Sequence, residues 1–156
     1  MHLLPVSHIR QRQTADCLAA CAAMVLDYWR VSYRYTALLQ LLHIRDYGTA
    51  FSNLLLLEQP DLQVDVPVGD LTQLRINLHN GVPVIVFLNT GMLSYWTVET
   101  GHAVVVIGMD DQVVVVHDPH LSAPARAIPA IEFEAAWIEQ DQLCAVIRPV
   151  TPGAAI

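Results

Sequence analysis

The sequence lacks long apolar runs and has few charged residues. Charged residues make up 15% of the 156 residues and hydrophobic residues 54%. This balance excludes a disordered chain, because apolar side chains are numerous enough to form a core. No apolar stretch approaches the roughly 18 residues of a membrane-spanning helix, so we expect no membrane span. Residues 1–13 contain no apolar segment followed by small residues, so we expect no signal peptide and a cytoplasmic location.

Cysteine and basic residues are also scarce. The three cysteines, Cys17, Cys21 and Cys144, are odd in number, with a wide spacing between Cys21 and Cys144, which argues against a disulfide framework and for free thiols. The 8 basic residues are scattered among 15 acidic ones, and the formal charge of −7 would repel nucleic acid. The mean hydropathy of +0.40 is high. We therefore expect a second copy of the chain or a protein partner to cover some of the apolar surface.

Helices dominate the first half of the sequence and strands the second, which predicts an α+β fold. The length fits one domain over residues 1–150, with a loose tail at 151–156. Helical spacing or composition predicts helices at Cys17–Trp29, Tyr35–His43, Phe51–Glu58, Asp70–Asn80 and Ile131–Gln140. Alternation or β-branched residues predict strands at Leu62–Val66, Val82–Leu88, His102–Met109, Val113–His117 and Leu143–Arg148.

Cys17 begins the helix that is best defined by the sequence, directly after the capping candidates Thr14 and Asp16. Backbone N–H groups without partners and the helix dipole stabilise a thiolate at such a position. Cys17 is therefore a candidate nucleophile. Cys21 and Cys144, in the middle of a helix and a strand, are expected to be small core residues.

His102 and Asp118 are predicted to come together across a hairpin. His102 opens one strand, and Asp118 ends the next, after the short polar connection at Asp110 and Asp111. A carboxylate that accepts the imidazole Nδ1–H would fix the tautomer and favour the imidazolium. His102 is thus a candidate general base, with Asp118 as the residue that orients it.

Gln11 and Gln13 precede Cys17, and an amide from either could stabilise an oxyanion together with the Cys17 backbone N–H. Spacing alone does not choose between them. An alternative hypothesis is that zinc is bound by His102, His117, Asp118 and His120. We disfavour it because His117 and Asp118 are adjacent and would point to opposite faces of a strand.

Two blocks of this sequence resemble a known family. Residues 11–26, QRQTADCLAACAAMVL, resemble its pattern of Gln, four residues, Asp, Cys and an Ala-rich helix. Residues 101–119, GHAVVVIGMDDQVVVVHDP, resemble its Gly-His, apolar strand, polar turn, strand and Asp-Pro. The family is that of the bacteriocin-processing, or double-glycine, C39 cysteine peptidases. The resemblance implies a papain-like fold, in which N-terminal helices with the catalytic cysteine at a helix N-terminus pack on a C-terminal antiparallel sheet.

Carried over to this chain, the resemblance implies Cys17 as nucleophile, His102 as base, Asp118 as orienting residue and Gln11, rather than Gln13, as oxyanion donor. It implies a peptide or protein substrate, such as a leader peptide, and no cofactor or metal. One departure is Leu18, where the family often has Gly. This departure motivates an alternative, in which the chain is a catalytically idle module of papain-like fold that binds a peptide or docks on another protein.

Overall fold

The computed structural model describes residues 1–150, so the predicted loose tail at 151–156 lies outside the described residues. The described residues form four α-helices, α1 (Cys17–Tyr28), α2 (Tyr35–Leu41), α3 (Leu71–His79) and α4 (Ala130–Ile138). The same part of the chain forms six strands, β1 (Leu62–Asp65), β2 (Val84–Asn89), β3 (Gly101–Met109), β4 (Val113–His117), β5 (Arg126–Pro129) and β6 (Cys144–Pro149). Two 3₁₀ helices, Phe51–Leu57 and Thr90–Met92, complete the architecture of residues 1–150. No helix among these residues is long and apolar enough to cross a membrane.

The strands form one antiparallel sheet in the order β1-β6-β2-β3-β4-β5. Helix α1 packs against β3, while α3 and α4 both contact β2. The central strands β2 and β3 carry long runs of buried Val, Ile and Leu, a pattern typical of strands covered on both faces. The predicted α+β fold, with N-terminal helices on a C-terminal antiparallel sheet, is confirmed.

Helix α1 is the central helix of the core. Its residues from Leu18 to Leu26 are all buried, which confirms a helix enclosed on several sides. Four of these side chains are alanines with no exposed surface. Because alanine adds little bulk, the helix can lie close to the sheet at these positions. Asp16 occupies the N-cap position as predicted, but its side chain makes no capping hydrogen bond to the helix.

The hairpin of β3 and β4 positions two of the predicted site residues. Asp110 closes its turn, because the Asp110 carboxylate accepts hydrogen bonds from the backbone N–H groups of Gln112 and Val113, at 2.8 and 2.9 Å. The register pairs Val105 with His117. The start of β3 and the residue after β4 therefore lie at the same end of the hairpin.

Three elements differ from those predicted, one of them the 3₁₀ helix Thr90–Met92, which was not predicted. The predicted helix Phe51–Glu58 is a 3₁₀ helix over Phe51–Leu57 rather than an α-helix. Leu54 and Leu57 are buried three residues apart and the intervening leucines are about half exposed, which matches three residues per turn. The edge strand β5 was not predicted, because Ile128 is its only buried side chain. The other predicted bounds differ from the observed ones by at most two residues.

Candidate active site

Cys17 is the first residue of α1 and is partly exposed, at the wall of a cleft of about 520 Å³. His102 and Gln11 line the same cleft. The N-terminus of a twelve-residue helix supplies N–H groups and a partial positive charge at the position of the sulfur. The structure thus brings together three of the four predicted site residues. The fourth, Asp118, is hydrogen-bonded to His102 and is not among the described residues that line the cleft.

The other two cysteines lie in the core, as predicted. Cys21 has no exposed surface and Cys144 only 5%, and all three thiols are free. Burial raises the pKa of Cys21 well above its ordinary value, with a further rise from the charges of Cys17 and Asp118. Cys21 is therefore held as a neutral thiol, one helical turn from Cys17.

His102 and Asp118 form a buried pair. The Nε2–H of His102 donates to Oδ1 of Asp118 at 2.6 Å, and the two residues are 4% and 0% exposed. The prediction that Asp118 accepts from Nδ1 is wrong. Sequence spacing does not determine the rotation of the imidazole ring, and the fold places the carboxylate on the Nε2 side. Nδ1 is then the ring nitrogen left for the Cys17 thiol.

The surroundings of this pair favour its charged form. Burial by itself lowers the pKa of His102, but hydrogen bonding and the negative charges of Asp118 and Cys17 outweigh it and raise this pKa to about 9. Burial likewise raises the pKa of Asp118, and the hydrogen bond and charge of His102, with a further hydrogen bond from Tyr95, lower it to about 2. At neutral pH the pair is therefore an imidazolium and a carboxylate.

Three further donors converge on the Asp118 carboxylate. The Tyr95 hydroxyl donates at 2.6 Å and the Trp96 Nε1–H at 3.0 Å, both to Oδ2, and the His120 backbone N–H donates to Oδ1 at 2.9 Å. The Trp96 ring also lies 4.6 Å from that of His102. Tyr95 and Trp96 were not among the predicted site residues. Their signal in the sequence is a pair of aromatic residues with polar tips, shortly before His102 in the chain.

Gln11 is held in the loop before Cys17. Its backbone N–H donates to the carbonyl of Pro119 at 2.9 Å. Its side-chain Nε2 donates to the carbonyls of Gln13 and Thr14, at 2.8 and 2.9 Å, and its Oε1 is buried without a partner among the described residues. Gln13, the competing candidate, is exposed and is not one of the described residues that line the cleft.

The contacts of the histidines do not fit the hypothesis of a zinc site. His117 uses both ring nitrogens, since Nε2–H donates to the Val6 carbonyl at 2.7 Å and Nδ1 accepts from the Ala125 N–H at 3.0 Å. The His120 ring stacks on Trp96 with centroids 4.3 Å apart. Within residues 1–150, no group of three or more His, Cys, Asp or Glu side chains is arranged to hold a metal ion.

The walls of the cleft are largely apolar. Leu18, the departure from the family pattern, is 4% exposed and forms part of the wall without filling the cleft. Phe51 and Phe87 pack together with ring centroids 5.3 Å apart. A Cβ atom at Gly101 would lie 2.6 Å from Cζ of Phe87, so a glycine is required for this close approach beside His102. The cleft beside the thiol therefore offers mainly apolar surface to a ligand.

Comparisons with known proteins show the family and the fold. The sequence model described as the Peptidase C39 family matches residues 6–144. Three solved structures are similar in fold: a putative C39-like peptidase from Bacillus anthracis, a double-glycine-motif protease from an AMS/PCAT transporter in complex with a leader peptide, and the peptidase domain of Streptococcus ComA, a bifunctional ABC transporter.

The TM-scores of these structures are 0.76, 0.74 and 0.72 and their sequence identities are 20%, 20% and 19%, in the same order. The alignments cover 96%, 95% and 93% of this chain, and 96%, 94% and 99% of the respective structures. No curated protein matches the sequence significantly. At these identities the structural likeness shows the fold.

Proposed function

This chain belongs to the peptidase C39 family, and we propose that it is an active cysteine peptidase that cleaves a peptide substrate through a thioacyl-enzyme intermediate. In this proposal Cys17 is the nucleophile, His102 the general base and acid, Asp118 the residue that orients His102, and Gln11 an oxyanion donor. The observation that carries the proposal is the buried His102–Asp118 pair, 2.6 Å apart, beside a cysteine at a helix N-terminus.

Acylation begins with the thiolate of Cys17 and the imidazolium of His102. The sulfur attacks the scissile carbonyl carbon, and the π electrons move to the oxygen to give a tetrahedral oxyanion. The oxyanion collapses, the C–N bond breaks, and His102 gives its Nδ1 proton to the leaving amine. Asp118 holds Nε2 throughout, so Nδ1 stays directed at the reacting atoms and the imidazolium remains stabilised until its proton is transferred.

Deacylation uses the same groups in reverse. Neutral His102 accepts a proton from a water molecule that attacks the thioester, the C–S bond breaks, and the thiolate and imidazolium are restored. The backbone N–H of Cys17, the first residue of α1, is available to the oxyanion in both steps.

Gln11 is proposed as the second oxyanion donor. In the free cleft its Nε2 is bonded to the carbonyls of Gln13 and Thr14, and both bonds are exposed to solvent. Water can therefore solvate one of these carbonyls when the amide turns to the oxyanion, and exchanging a carbonyl for a charged oxygen gains a stronger hydrogen bond. Gln11→Ala should accordingly lower kcat much more than it changes KM.

A leader peptide is the proposed substrate class. One solved neighbour is a double-glycine protease in complex with its leader peptide, and another is the peptidase domain of a transporter. In this chain, Phe87 lies close to Gly101 in the wall of the cleft beside His102. A wall with a bulky aromatic side chain leaves more room for an extended segment with small residues at the scissile bond than for one with bulky residues.

An internally quenched peptide with a Gly-Gly bond in an otherwise apolar segment tests the proposal. We expect wild-type protein to cleave it, Cys17→Ala to abolish cleavage, and Cys144→Ala, a matched change of a buried thiol away from the cleft, to retain it. Peptide binding that survives Cys17→Ser, with no cleavage of any Gly-Gly peptide by the wild type, would instead favour the idle binding module.

A further inference from the structure

Asp16 is a buried carboxylate that the catalytic steps above do not use. It is 1% exposed and immediately precedes Cys17. Its side chain turns away from α1, where an N-cap carboxylate ordinarily binds, and toward the preceding loop. There Oδ1 accepts from the Gln13 N–H at 2.8 Å and Oδ2 from the Arg12 N–H at 3.1 Å. Asp16 thus fixes the backbone of the loop rather than the helix.

A tyrosine on α2 completes the coordination of this carboxylate. The Tyr35 hydroxyl donates to Oδ2 of Asp16 at 2.7 Å, and both residues are buried. Burial raises the pKa of Tyr35, and the hydrogen bond and charge of Asp16 raise it further, so the hydroxyl keeps its proton and remains a donor. The Arg12 guanidinium lies 4.2 Å from the centroid of the Tyr35 ring. This cation–π contact holds the loop that carries Arg12 against the Tyr35 ring.

The same loop carries the proposed oxyanion donors. The Gln11 side chain reaches forward to the carbonyls of Gln13 and Thr14, while Asp16 reaches back to N–H groups of the same turn. The side chains at both ends of the loop therefore form hydrogen bonds to backbone groups within the loop, and Cys17 is the next residue. A loop held in this way fixes the Cys17 N–H relative to the sulfur, and it also fixes the backbone from which the Gln11 amide turns to the oxyanion.

We propose that Asp16, held by Tyr35, is a positioning residue that sets the two oxyanion donors of this peptidase. The proposal rests on the proposed function, because it assigns Asp16 to the transition state of acyl transfer. Neither Asp16 nor Tyr35 touches the substrate. They act through the backbone of the Gln11–Asp16 loop, and their contribution is made when negative charge develops on the carbonyl oxygen.

Two reactions of Cys17 separate this role from a merely structural one. With p-nitrophenyl acetate the S–C bond forms through a tetrahedral oxyanion, and p-nitrophenolate leaves. With iodoacetamide the S–C bond forms as the C–I bond breaks and iodide leaves, and no carbonyl oxyanion develops. Both reagents are small and need no knowledge of the peptide substrate, and both require a reactive thiol.

Tyr35→Phe is the main variant, because it removes one hydroxyl and leaves the buried ring in place. Asp16→Asn is the second, since its amide cannot accept from all three donors. Tyr33→Phe is the matched control: it is the same change two residues away, at a hydroxyl that makes no hydrogen bond within the part of the chain that the structure describes. Each variant is compared with the wild type by circular dichroism.

We expect Tyr35→Phe and Asp16→Asn to lower the rate constant for acylation roughly 10- to 100-fold, the size of effect that follows displacement of catalytic groups. Their alkylation rate constants should stay within about twofold of the wild-type value, because no carbonyl oxyanion develops in that reaction. Tyr33→Phe should change neither rate. Hydrogen exchange at the Gln13 amide should also accelerate in Tyr35→Phe.

Equal losses in the two reactions would overturn the positioning role, as would no loss in either, while leaving Cys17 as the nucleophile. A wild-type protein in which Cys17 reacts with neither reagent faster than a free thiol would instead remove the proposed function, and the positioning role with it. If Asp16→Asn does not fold, the comparison of Tyr35→Phe with Tyr33→Phe still decides the question.

Discussion

Replacing Asp118 by Asn tests the charge balance on which catalysis is proposed to depend. Asp118 has no exposed surface and accepts the Nε2–H of His102 at 2.6 Å. The substitution keeps the size of the side chain and removes its charge. Asp111→Asn is the matched control, because Asp111 is 88% exposed at the other end of the hairpin, where its ion pair with Arg75 contributes little.

The magnitude follows from the pKa of His102, which is about 9 against an ordinary 6.5. Asp118 and Cys17 each raise it through a hydrogen bond and a charge, and burial opposes both. The hydrogen bond to Asp118 is the largest of the causes that raise it. A neighbouring opposite charge typically shifts a pKa by about 1 to 3 pH units, so the loss of the Asp118 charge should lower the pKa of His102 by more than about 1 pH unit, roughly 2 kcal/mol of imidazolium stabilisation.

The first assay is the pH dependence of kcat/KM for the quenched Gly-Gly peptide. Because His102 must be protonated to release the amine, activity should fall above about pH 9 in the wild type and in Asp111→Asn. In Asp118→Asn this falling limb should shift to a pH lower by more than about 1 unit. A falling limb that stays in place would refute the proposed coupling between Asp118 and His102.

The second assay needs no activity. A folded-state pKa raised above its unfolded value means that the folded protein binds the proton more tightly, so the resulting stability is fully present below pH 6.5 and is lost as pH rises through about 9. Urea unfolding of the wild type should show this loss, roughly 3 kcal/mol in total. In Asp118→Asn the decline should be smaller and end at lower pH, and parallel curves for the two proteins would contradict the reasoning.

Two further predictions concern the surroundings of the pair. Tyr95→Phe removes a donor 2.6 Å from the Asp118 carboxylate, so it should lower the free energy of unfolding, measured in urea, by about 1 to 2 kcal/mol. It should also move acid unfolding to higher pH, and an unchanged midpoint pH of acid unfolding would count against this. Gly101→Ala places a Cβ 2.6 Å from Cζ of Phe87 and should raise KM for the quenched peptide several-fold. The added change Phe87→Leu should restore the wild-type KM, and a KM that stays high in the double variant would contradict this explanation.

The elements predicted well are those in which local and long-range requirements agree. Helix α1 is rich in alanine and leucine and has no glycine or proline, and β3 and β4 each contain a run of four β-branched residues, with a polar turn between the strands. In each such segment the local conformational preference and the burial in the core favour the same structure. Strand β5 is the opposite case. Its sequence, RAIP, buries only the side chain of Ile128, and the strand forms because the edge of β4 is available for pairing.

The candidate site divides along the same line. Cys17, His102 and Asp118 could be proposed from the sequence because each lies at the end of a regular element, and the ends of α1, β3 and β4 are set by hydrophobic pattern and turn chemistry. The rotation of the His102 ring could not, since it depends on which side of β3 the carboxylate reaches.

The donors that surround the two buried carboxylates come from irregular backbone and from distant parts of the chain. Tyr95 and Trp96 reach Asp118 from a loop more than twenty positions earlier, and Tyr35 reaches Asp16 from α2. No periodicity marks such residues, but burial does: a carboxylate without exposed surface must find donors, so each buried acid implies a set of polar side chains to be identified. Asp118 and Asp16 are the buried acids among residues 1–150, and each adjoins one of the two groups, His102 and Cys17, that the proposed mechanism requires to be held in place.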